Sequence, residues 1–154
     1  MDITIKKPSE VSAKEMHQIL DLIAHGAQIQ ADYEATALRL TNAVFISFIS
    51  EEDRIIATAT IKNPAKNYAK KVFESAKAEE LLSEYKYELG YIVTASGREG
   101  ENLCQKLLTA FFPFIDSRKM YATTRKDAMI HILKKFGFRT AGEKYNSDLT
   151  LLIN

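Results

Sequence analysis

A strand, a glycine-containing turn and an apolar helix follow one another within a single stretch of the sequence, and this unit constrains the fold most. Tyr87 to Thr94 is rich in aromatic and β-branched residues and predicts a strand. Gly97-Arg98-Glu99-Gly100 is a polar loop, and Leu103 to Ile115 has the apolar spacing of a helix. A chain built around this unit has a sheet with helices on its faces.

The turn of this unit has the properties of an anion receptor. At a strand-to-helix junction several backbone N–H groups point at one place, with the positive end of the helix dipole behind them. Such a place suits a phosphate or pyrophosphate. Gly97 and Gly100 permit the positive φ that a close backbone approach requires, and Arg98 adds a cation. The same pattern is also compatible with an ordinary turn of an α/β protein.

The remaining elements predict a mixed sheet that contains an antiparallel hairpin followed by alternating strands and helices. The predicted order is β-α-α-β-β-α-β-α-β-α-β-β. Ser9 or Ser12 can cap the first helix, and Glu15 completes a capping-box pattern with Ser12. The predicted segments are strand 3–6, a helix from Ser12 to Gly26, helix 32–41, strands 44–49 and 55–61, helix 66–85, strand 87–94, helix 103–115, strand 119–124, helix 127–136, and strands 139–143 and 149–153.

Length and composition exclude several classes of protein. With 154 residues and 46% hydrophobic residues, the chain is expected to be one domain over 1–154. Its 21 Lys+Arg and 20 Asp+Glu argue against a general nucleic-acid binder. The single Cys104, the absence of a long apolar run and the lack of a metal-ligand pattern around His17 and His25 predict a cytoplasmic protein, not bound to a membrane and without a metal.

Two blocks of the sequence resemble the GNAT superfamily of acyl-CoA-dependent N-acyltransferases. The first consists of Glu88-Leu89, Arg98-Glu99-Gly100 and Leu107-Leu108, which stand where the family has its strand, its Arg/Gln-x-x-Gly-x-Gly/Ala loop and its Leu-Leu helix. The second is the strand 121–124 with the helix that ends in Gly137-Phe138. The resemblance covers residues 87 to about 138 and implies an α/β (α+β) fold with a mostly antiparallel sheet of six to seven strands flanked by four to five helices.

The resemblance implies that acetyl-CoA is the cofactor and that a primary amine is the acceptor. Counting from either side of the loop puts the family's Arg/Gln position on Arg98 or on Glu99, and the two small-residue positions on Asn102 and Cys104. Cys104 is equally compatible with a small buried residue of the helix. The implied cofactor-binding residues are Ile92, Val93, Thr94 and Ala95 for the pantetheine arm, Arg98, Glu99, Gly100, Glu101, Asn102, Leu103 and Cys104 for the pyrophosphate, and Lys126.

Glu88 is the catalytic candidate that the resemblance implies, as the base for the attacking amine. It is equally compatible with a strand carboxylate opposite a lysine. The tyrosine that protonates the leaving thiolate in many family members falls on Leu133, which has no proton to give. His131 and Tyr121 are the possible substitutes, although a surface role for His131 and a core role for Tyr121 are favoured.

The acceptor is not identified by the sequence. The resemblance implies that it enters near residues 26–33 and 63–85, which contain polar and aromatic residues and no acidic cluster. We expect an enzyme that is a monomer or homodimer and acts on a small molecule or peptide. The alternative function is that of a non-catalytic, CoA-binding or regulatory module of the same fold. An unrelated phosphate-binding domain fits less well, because no lysine-containing Walker loop is present. The residues of the acceptor region are Gln28, Gln30, Tyr33, Asn67, Tyr68 and Tyr85.

Overall fold

The computed structural model describes residues 1–26 and 32–154, and this part of the chain forms a seven-stranded, mostly antiparallel sheet with five α-helices. The predicted fold class is therefore confirmed. Along the sheet the strand order is β1-β2-β3-β4-β5-β7-β6. The strands are β1 (Asp2–Lys6), β2 (Phe45–Glu51), β3 (Arg54–Lys62), β4 (Tyr87–Thr94), β5 (Met120–Thr124), β6 (Arg139–Tyr145) and β7 (Leu149–Ile153). The helices are α1 (Ala13–Gly26), α2 (Tyr33–Thr41), α3 (Lys66–Ser75), α4 (Leu103–Asp116) and α5 (Asp127–Lys135).

The chain divides into two compact units, and β4 and α4 each contribute residues to both. The first unit comprises Met1–Lys62 and Gly90–Phe111, and the second comprises Asn63–Leu89 and Phe112–Asn154. The single domain expected over residues 1–154 stays a prediction.

In the first unit, β1, β2 and β3 form an antiparallel ladder. The turn between β2 and β3 has Glu52 at φ 50° and Asp53 at φ 62°, which is the geometry of a type I′ turn and matches the twist of the flanking strands. The hydrophobic core of this unit brings α1 and α2 against the strands through Ile19, Leu20, Ile23, Leu40, Ile46, Phe48 and Val93.

The first helix begins as the sequence predicts and ends in close contact with β4. Ser12 Oγ accepts from the Glu15 N–H at 3.1 Å, and a Glu15 carboxylate oxygen accepts from the Ser12 N–H at 2.8 Å, which completes the capping box. At the other end, a Cβ on Gly26 would overlap the side chain of Val93. Glycine is therefore required where α1 meets β4.

In the second unit, the first half of β4 pairs with β5 in parallel, through Tyr87 with Met120 and Glu88 with Tyr121. β5 pairs antiparallel with β7, and β7 pairs antiparallel with β6. The helix α3 covers one face of these strands. The buried residues that α3 and the strands share there are Ala69, Val72, Phe73, Ala76, Tyr121, Leu151 and Ile153.

The helix predicted over residues 66–85 is shorter in the structure, where α3 ends at Ser75. Lys77 adopts a left-handed conformation with φ 56°, and the Ala78 N–H donates to the Phe73 carbonyl at 2.8 Å, which closes the helix end. The Ala76 carbonyl accepts from the Glu143 N–H of β6 at 2.7 Å. A hydrogen bond between residues distant in sequence thus stabilises the end of α3.

Candidate functional site

The loop after β4 turns sharply through three left-handed residues. Gly97 has φ 84°, Gly100 has φ 88° and Asn102 has φ 58°. A Cβ on either glycine would meet no heavy atom within 4 Å, so the two glycines serve the backbone conformation and the space beside them is open. Left-handed residues in a turn can direct backbone N–H groups to one place, as in an anion nest. In this loop the Arg98 and Glu101 N–H groups already donate to the carbonyls of Ala95 and Arg98, at 3.1 and 3.4 Å.

The start of α4 adds further donors to this loop. The Lys106 N–H donates to the Asn102 carbonyl at 3.0 Å and is the first bond of the helix ladder. The N–H groups of Leu103, Cys104 and Gln105 therefore precede the ladder and have no carbonyl one turn earlier to bind. Together with the helix dipole they form the positive end of the loop. The predicted phosphate-binding residues thus lie on a backbone suited to an anion.

The charged side chains of the loop oppose the binding of an anion by its backbone. Arg98 binds the Glu101 carboxylate with two N–H groups at 2.6 and 2.8 Å, and it also binds Glu51 of β2 at 2.8 Å. The hydrogen bonds with Glu101 and Glu51 raise the pKa of Arg98, and the hydrogen bond from Arg98 lowers the pKa of Glu101. The cation that was predicted for a phosphate is thus engaged by two carboxylates.

A third carboxylate lies in the turn itself. The Gly97 N–H donates to a carboxylate oxygen of Glu99 at 2.8 Å, so this side chain already binds one backbone donor of the turn. A phosphate in the same place would displace the Glu99 carboxylate or share the donor with it. Glu51, which comes from another strand, is a member of this cluster that the sequence offered no local signal to find.

Cys104 lies in the first turn of α4 and is partly buried. Burial raises the pKa of its thiol to about 11. The thiol is therefore protonated at neutral pH, and it does not have the depressed pKa of a nucleophilic cysteine.

Glu88 is a buried carboxylate on β4, only 3% exposed. The hydroxyl of Tyr68, on α3, donates to Glu88 Oε2 at 3.3 Å. Neighbouring residues of a ladder place their side chains on the same face, so Glu88 and its partner Tyr121 share the face that α3 covers. Tyr68 was among the acceptor-region residues in the sequence, but no pattern linked it to Glu88.

Tyr121 is fully buried, and its hydroxyl oxygen has no hydrogen-bond partner in the part of the chain that the structure describes. Its ring packs edge-on against Phe73, with ring centroids 5.1 Å apart. Burial raises the pKa of Tyr121, and the charge of Glu88 and the phenols of Tyr68 and Tyr145 raise it further. A protonated hydroxyl is therefore kept beside the buried carboxylate.

Tyr145 completes the group around Glu88. Burial raises the pKa of Tyr145 to about 12, the charge of Glu88 raises it too, and Arg125 acts in the opposite direction. The guanidinium of Arg125 donates to the carbonyls of Asn146 at 2.9 Å and Ser147 at 3.0 Å, in the turn that follows Tyr145. A carboxylate, three phenols and a guanidinium thus lie in one neighbourhood.

The other predicted site residues have different surroundings. Leu133 is buried in the core, His131 is exposed on α5, and Lys126 is exposed immediately before α5. Tyr85 is buried and donates to the Asn154 carbonyl at 3.3 Å, so it belongs to the core. Tyr33 binds His17 through its hydroxyl at 3.0 Å, and Asn67 is exposed. The acceptor-region residues Gln28 and Gln30 lie outside the described residues.

Neither a metal site nor a membrane-spanning helix is found in the described ranges. Over residues 1–26 and 32–154, no three His, Cys, Asp or Glu side chains are grouped so that they could hold a metal ion. In the same ranges, every helix is too short or too polar to cross a bilayer.

Solved structures with the same fold are similar to this chain at low sequence identity. No family model and no curated protein sequence matches the chain. Escherichia coli ElaA superposes with a TM-score of 0.75 at 13% identity, covering 99% of this chain and 98% of ElaA. An acyl-CoA N-acyltransferase from Pseudomonas aeruginosa gives 0.72 at 14% identity, with the same coverage. An aminoglycoside 6'-N-acetyltransferase complexed with coenzyme A gives 0.67 at 11% identity, covering 100% of this chain and 96% of that one. The chain therefore has the fold of the GNAT N-acyltransferases, as the sequence resemblance predicts.

Proposed function

We propose that the chain is an N-acyltransferase that transfers an acetyl or other acyl group from acetyl-CoA to a primary amine of a small molecule, peptide or protein. The observation that carries the proposal is the buried carboxylate of Glu88, which accepts a hydrogen bond from Tyr68 and lies beside the buried hydroxyl of Tyr121. The fold, shared with structures that include a coenzyme A complex, supports acyl transfer as the reaction class.

Glu88 would act as the base in this reaction. A protonated amine has no lone pair for attack, so a proton must leave before the new N–C bond forms. Glu88 would take that proton. Tyr68 would keep the carboxylate in one orientation, and the covering helix α3 would limit the access of water.

The backbone of the loop between β4 and α4 favours the binding of a pyrophosphate, and its acidic side chains disfavour it. Left-handed residues and the first N–H groups of α4 favour an anion, whereas Glu99 and Glu101 repel one. When bound, acetyl-CoA supplies an acyl group activated as a thioester, which the amine attacks directly. We expect residues 92–95 of β4 to bind the pantetheine arm through backbone groups, the loop and the α4 start (residues 98–104) to bind the pyrophosphate, and Lys126 to approach a phosphate.

No dedicated proton donor is required for the leaving thiolate. The position of the family's tyrosine is occupied by Leu133, which is buried, and His131 is exposed to solvent. A free thiol of ordinary acidity has a pKa of about 8.5, so its thiolate leaves readily and is protonated by water. The proposed mechanism therefore depends on the base and on substrate positioning.

A non-catalytic CoA-binding or regulatory module of the same fold is the second candidate. It is favoured by Leu133, a buried side chain without a proton to donate, which stands at the position of the family's tyrosine. A module that only binds CoA needs no such donor.

Two measurements on the full chain test the proposal. Acetyl-CoA at 100 times its Kd should add about 2.7 kcal/mol to the free energy of unfolding, visible as a higher melting temperature. Release of CoA would then be followed by chromatography with a panel of primary amines. Binding with amine-dependent release supports the enzyme, and binding without release from any amine supports the module. An unchanged melting temperature contradicts both.

A further inference from the structure

A line of side chains on β5 joins the buried carboxylate to a cation. Tyr121 and Thr123 lie on one face of β5. Arg125 directly follows the last residue of the strand and continues the same alternation. The ladder connects this face to Tyr145, because Thr123 pairs with Leu151 on β7 and Tyr145 pairs with Leu149. Glu88 lies at the Tyr121 end of the line and Arg125 at the other.

The Glu88 end of this line is suited to an ammonium group. The buried hydroxyl of Tyr121 has no hydrogen-bond partner among the described residues, so a ligand that binds it would restore a bond that burial removes. A ligand N–H could bind this oxygen while the carboxylate of Glu88 provides the opposite charge. The ring of Tyr68, which is 45% exposed, adds an aromatic surface that a cation favours.

The Arg125 end is suited to an anion. The guanidinium is held by two neutral carbonyls, those of Asn146 and Ser147, and forms no ion pair with any carboxylate of residues 1–26 and 32–154. The turn that presents these carbonyls has three successive left-handed residues, Asn146, Ser147 and Asp148. Arg125 is exposed, so its remaining N–H groups can reach a ligand.

We infer that the acceptor is a primary amine that carries a carboxylate at a distance, with its ammonium group at Glu88 and Tyr121 and its carboxylate at Arg125. Four residues of strand span about 13 Å, and the guanidinium is held at the far end of this span by the carbonyls of Asn146 and Ser147. An ω-amino acid of six or more carbons is therefore needed to approach both ends, whereas glycine is too short. This inference rests on the proposed function for the identity of the reacting amine.

The test uses the full chain with a series of ω-amino acids and the matching amides, in which a neutral amide group replaces the carboxylate. Binding would be measured by calorimetry in the presence of CoA, and turnover by release of CoA from acetyl-CoA. We expect 6-aminohexanoate to bind and react at least 10-fold better than 6-aminohexanamide. Glycine and glycinamide should differ by much less than 10-fold.

Variants at Arg125 assign the carboxylate preference to that side chain. In Arg125→Gln the affinity ratio of 6-aminohexanoate to 6-aminohexanamide should fall to nearly one. In Arg125→Lys the ratio should be intermediate, because the positive charge remains but the paired N–H donors of the guanidinium are lost. Arg39→Gln, on the exposed surface of α2, should keep the wild-type ratio. The melting temperature of each variant shows whether it is folded, and Arg125→Lys keeps the test decisive if Arg125→Gln unfolds.

The outcomes separate the inference from the proposed function. A carboxylate preference in binding without turnover of any amine supports the inference and contradicts the enzyme. Turnover of amines with no preference, or a preference that survives Arg125→Gln, overturns the inference and leaves the enzyme standing. Weaker acetyl-CoA binding in Arg125→Gln with an unchanged preference also overturns it, because Arg125 then serves the cofactor.

Discussion

Tyr68 donates its hydroxyl hydrogen to a carboxylate oxygen of Glu88 at 3.3 Å, across the interval between α3 and β4. The two residues are 20 positions apart, and α3 is positioned by its own buried face, which includes Ala69, Val72 and Phe73. A helix that packs on the sheet thereby holds a carboxylate that the strand supplies. This hydrogen bond predicts that Tyr68 affects catalysis by orienting the carboxylate of Glu88.

Replacing Tyr68 with phenylalanine should lower kcat about 3- to 10-fold and leave the KM for acetyl-CoA nearly unchanged. The variant removes the hydrogen bond that orients the Glu88 carboxylate, and because Tyr68 is partly exposed, water replaces some of the lost bond. Tyr87→Phe, on the opposite face of β4, is the matched control and should keep the wild-type kcat and KM. An unchanged kcat in Tyr68→Phe would contradict the positioning role.

Replacing Glu99 with glutamine should tighten acetyl-CoA binding about 3- to 10-fold at low salt. The change removes a negative charge from the turn where a pyrophosphate is expected and keeps an oxygen that can accept from the Gly97 N–H. Calorimetric titration measures the effect, which should shrink in 0.5 M salt. Glu79→Gln, an exposed carboxylate of the other unit, controls for net charge. Weaker binding in Glu99→Gln would mean that the pyrophosphate binds elsewhere.

The thiol of Cys104 should ionise with a midpoint of about pH 11, followed by the thiolate absorbance at 240 nm. Because the folded state raises this pKa above its ordinary value of 9.0, it holds the proton more tightly than the unfolded chain. The stabilisation is complete below pH 9 and is lost as the pH rises towards 11. Two pKa units correspond to about 3 kcal/mol.

Cys104→Ala provides the control for this titration. Its free energy of unfolding should fall less steeply than that of the wild type between pH 9 and 11, because the raised thiol pKa is absent. A wild-type midpoint below pH 9 would show instead that Cys104 is activated, and would reopen a chemical role for the thiol.

Alanine at Gly142 should destabilise the fold more than alanine at Gly137, although both glycines have positive φ, 65° and 88°. A Cβ at Gly142 would overlap the Ala76 carbonyl, whereas a Cβ at Gly137 would meet no heavy atom within 4 Å. We expect Gly137→Ala to cost about 1–2 kcal/mol for the backbone alone and Gly142→Ala about 1–3 kcal/mol more. Urea unfolding measures both. Equal costs would show that β6 does not approach the end of α3 closely.

The features that could be predicted from the sequence are those that local chemistry decides. The Ser12–Glu15 capping box joins residues three apart, and both of its bonds form. The helix α5 ends at Lys135, and Gly137 closes it in the left-handed conformation, with the Phe138 N–H bound to the Leu133 carbonyl at 3.1 Å. Both helix caps involve residues that lie within five positions of each other in the sequence.

The features that the sequence did not reveal depend on distant partners. The engagement of Arg98 by Glu51 joins residues 47 positions apart, so the neutralised cation of the loop had no local sign. The end of α3 at Ser75 depends partly on β6, which reaches the Ala76 carbonyl. The pairing of Tyr68 with Glu88 likewise exists only once α3 lies on the sheet.

Transfer of a labelled acetyl group is the most direct test of the central claim that Glu88 serves an acyltransferase. The full chain would be incubated with ¹³C-acetyl-CoA and a panel of primary amines, and N-acetylated products would be quantified by mass spectrometry. We predict labelled product from the wild type and from Glu84→Gln, an exposed carboxylate four residues earlier. Glu88→Gln should bind acetyl-CoA as the wild type does but form product at least 100-fold more slowly, the usual contribution of a positioned base. Labelled product at the wild-type rate from Glu88→Gln, or none from the wild type with any amine, would contradict the claim.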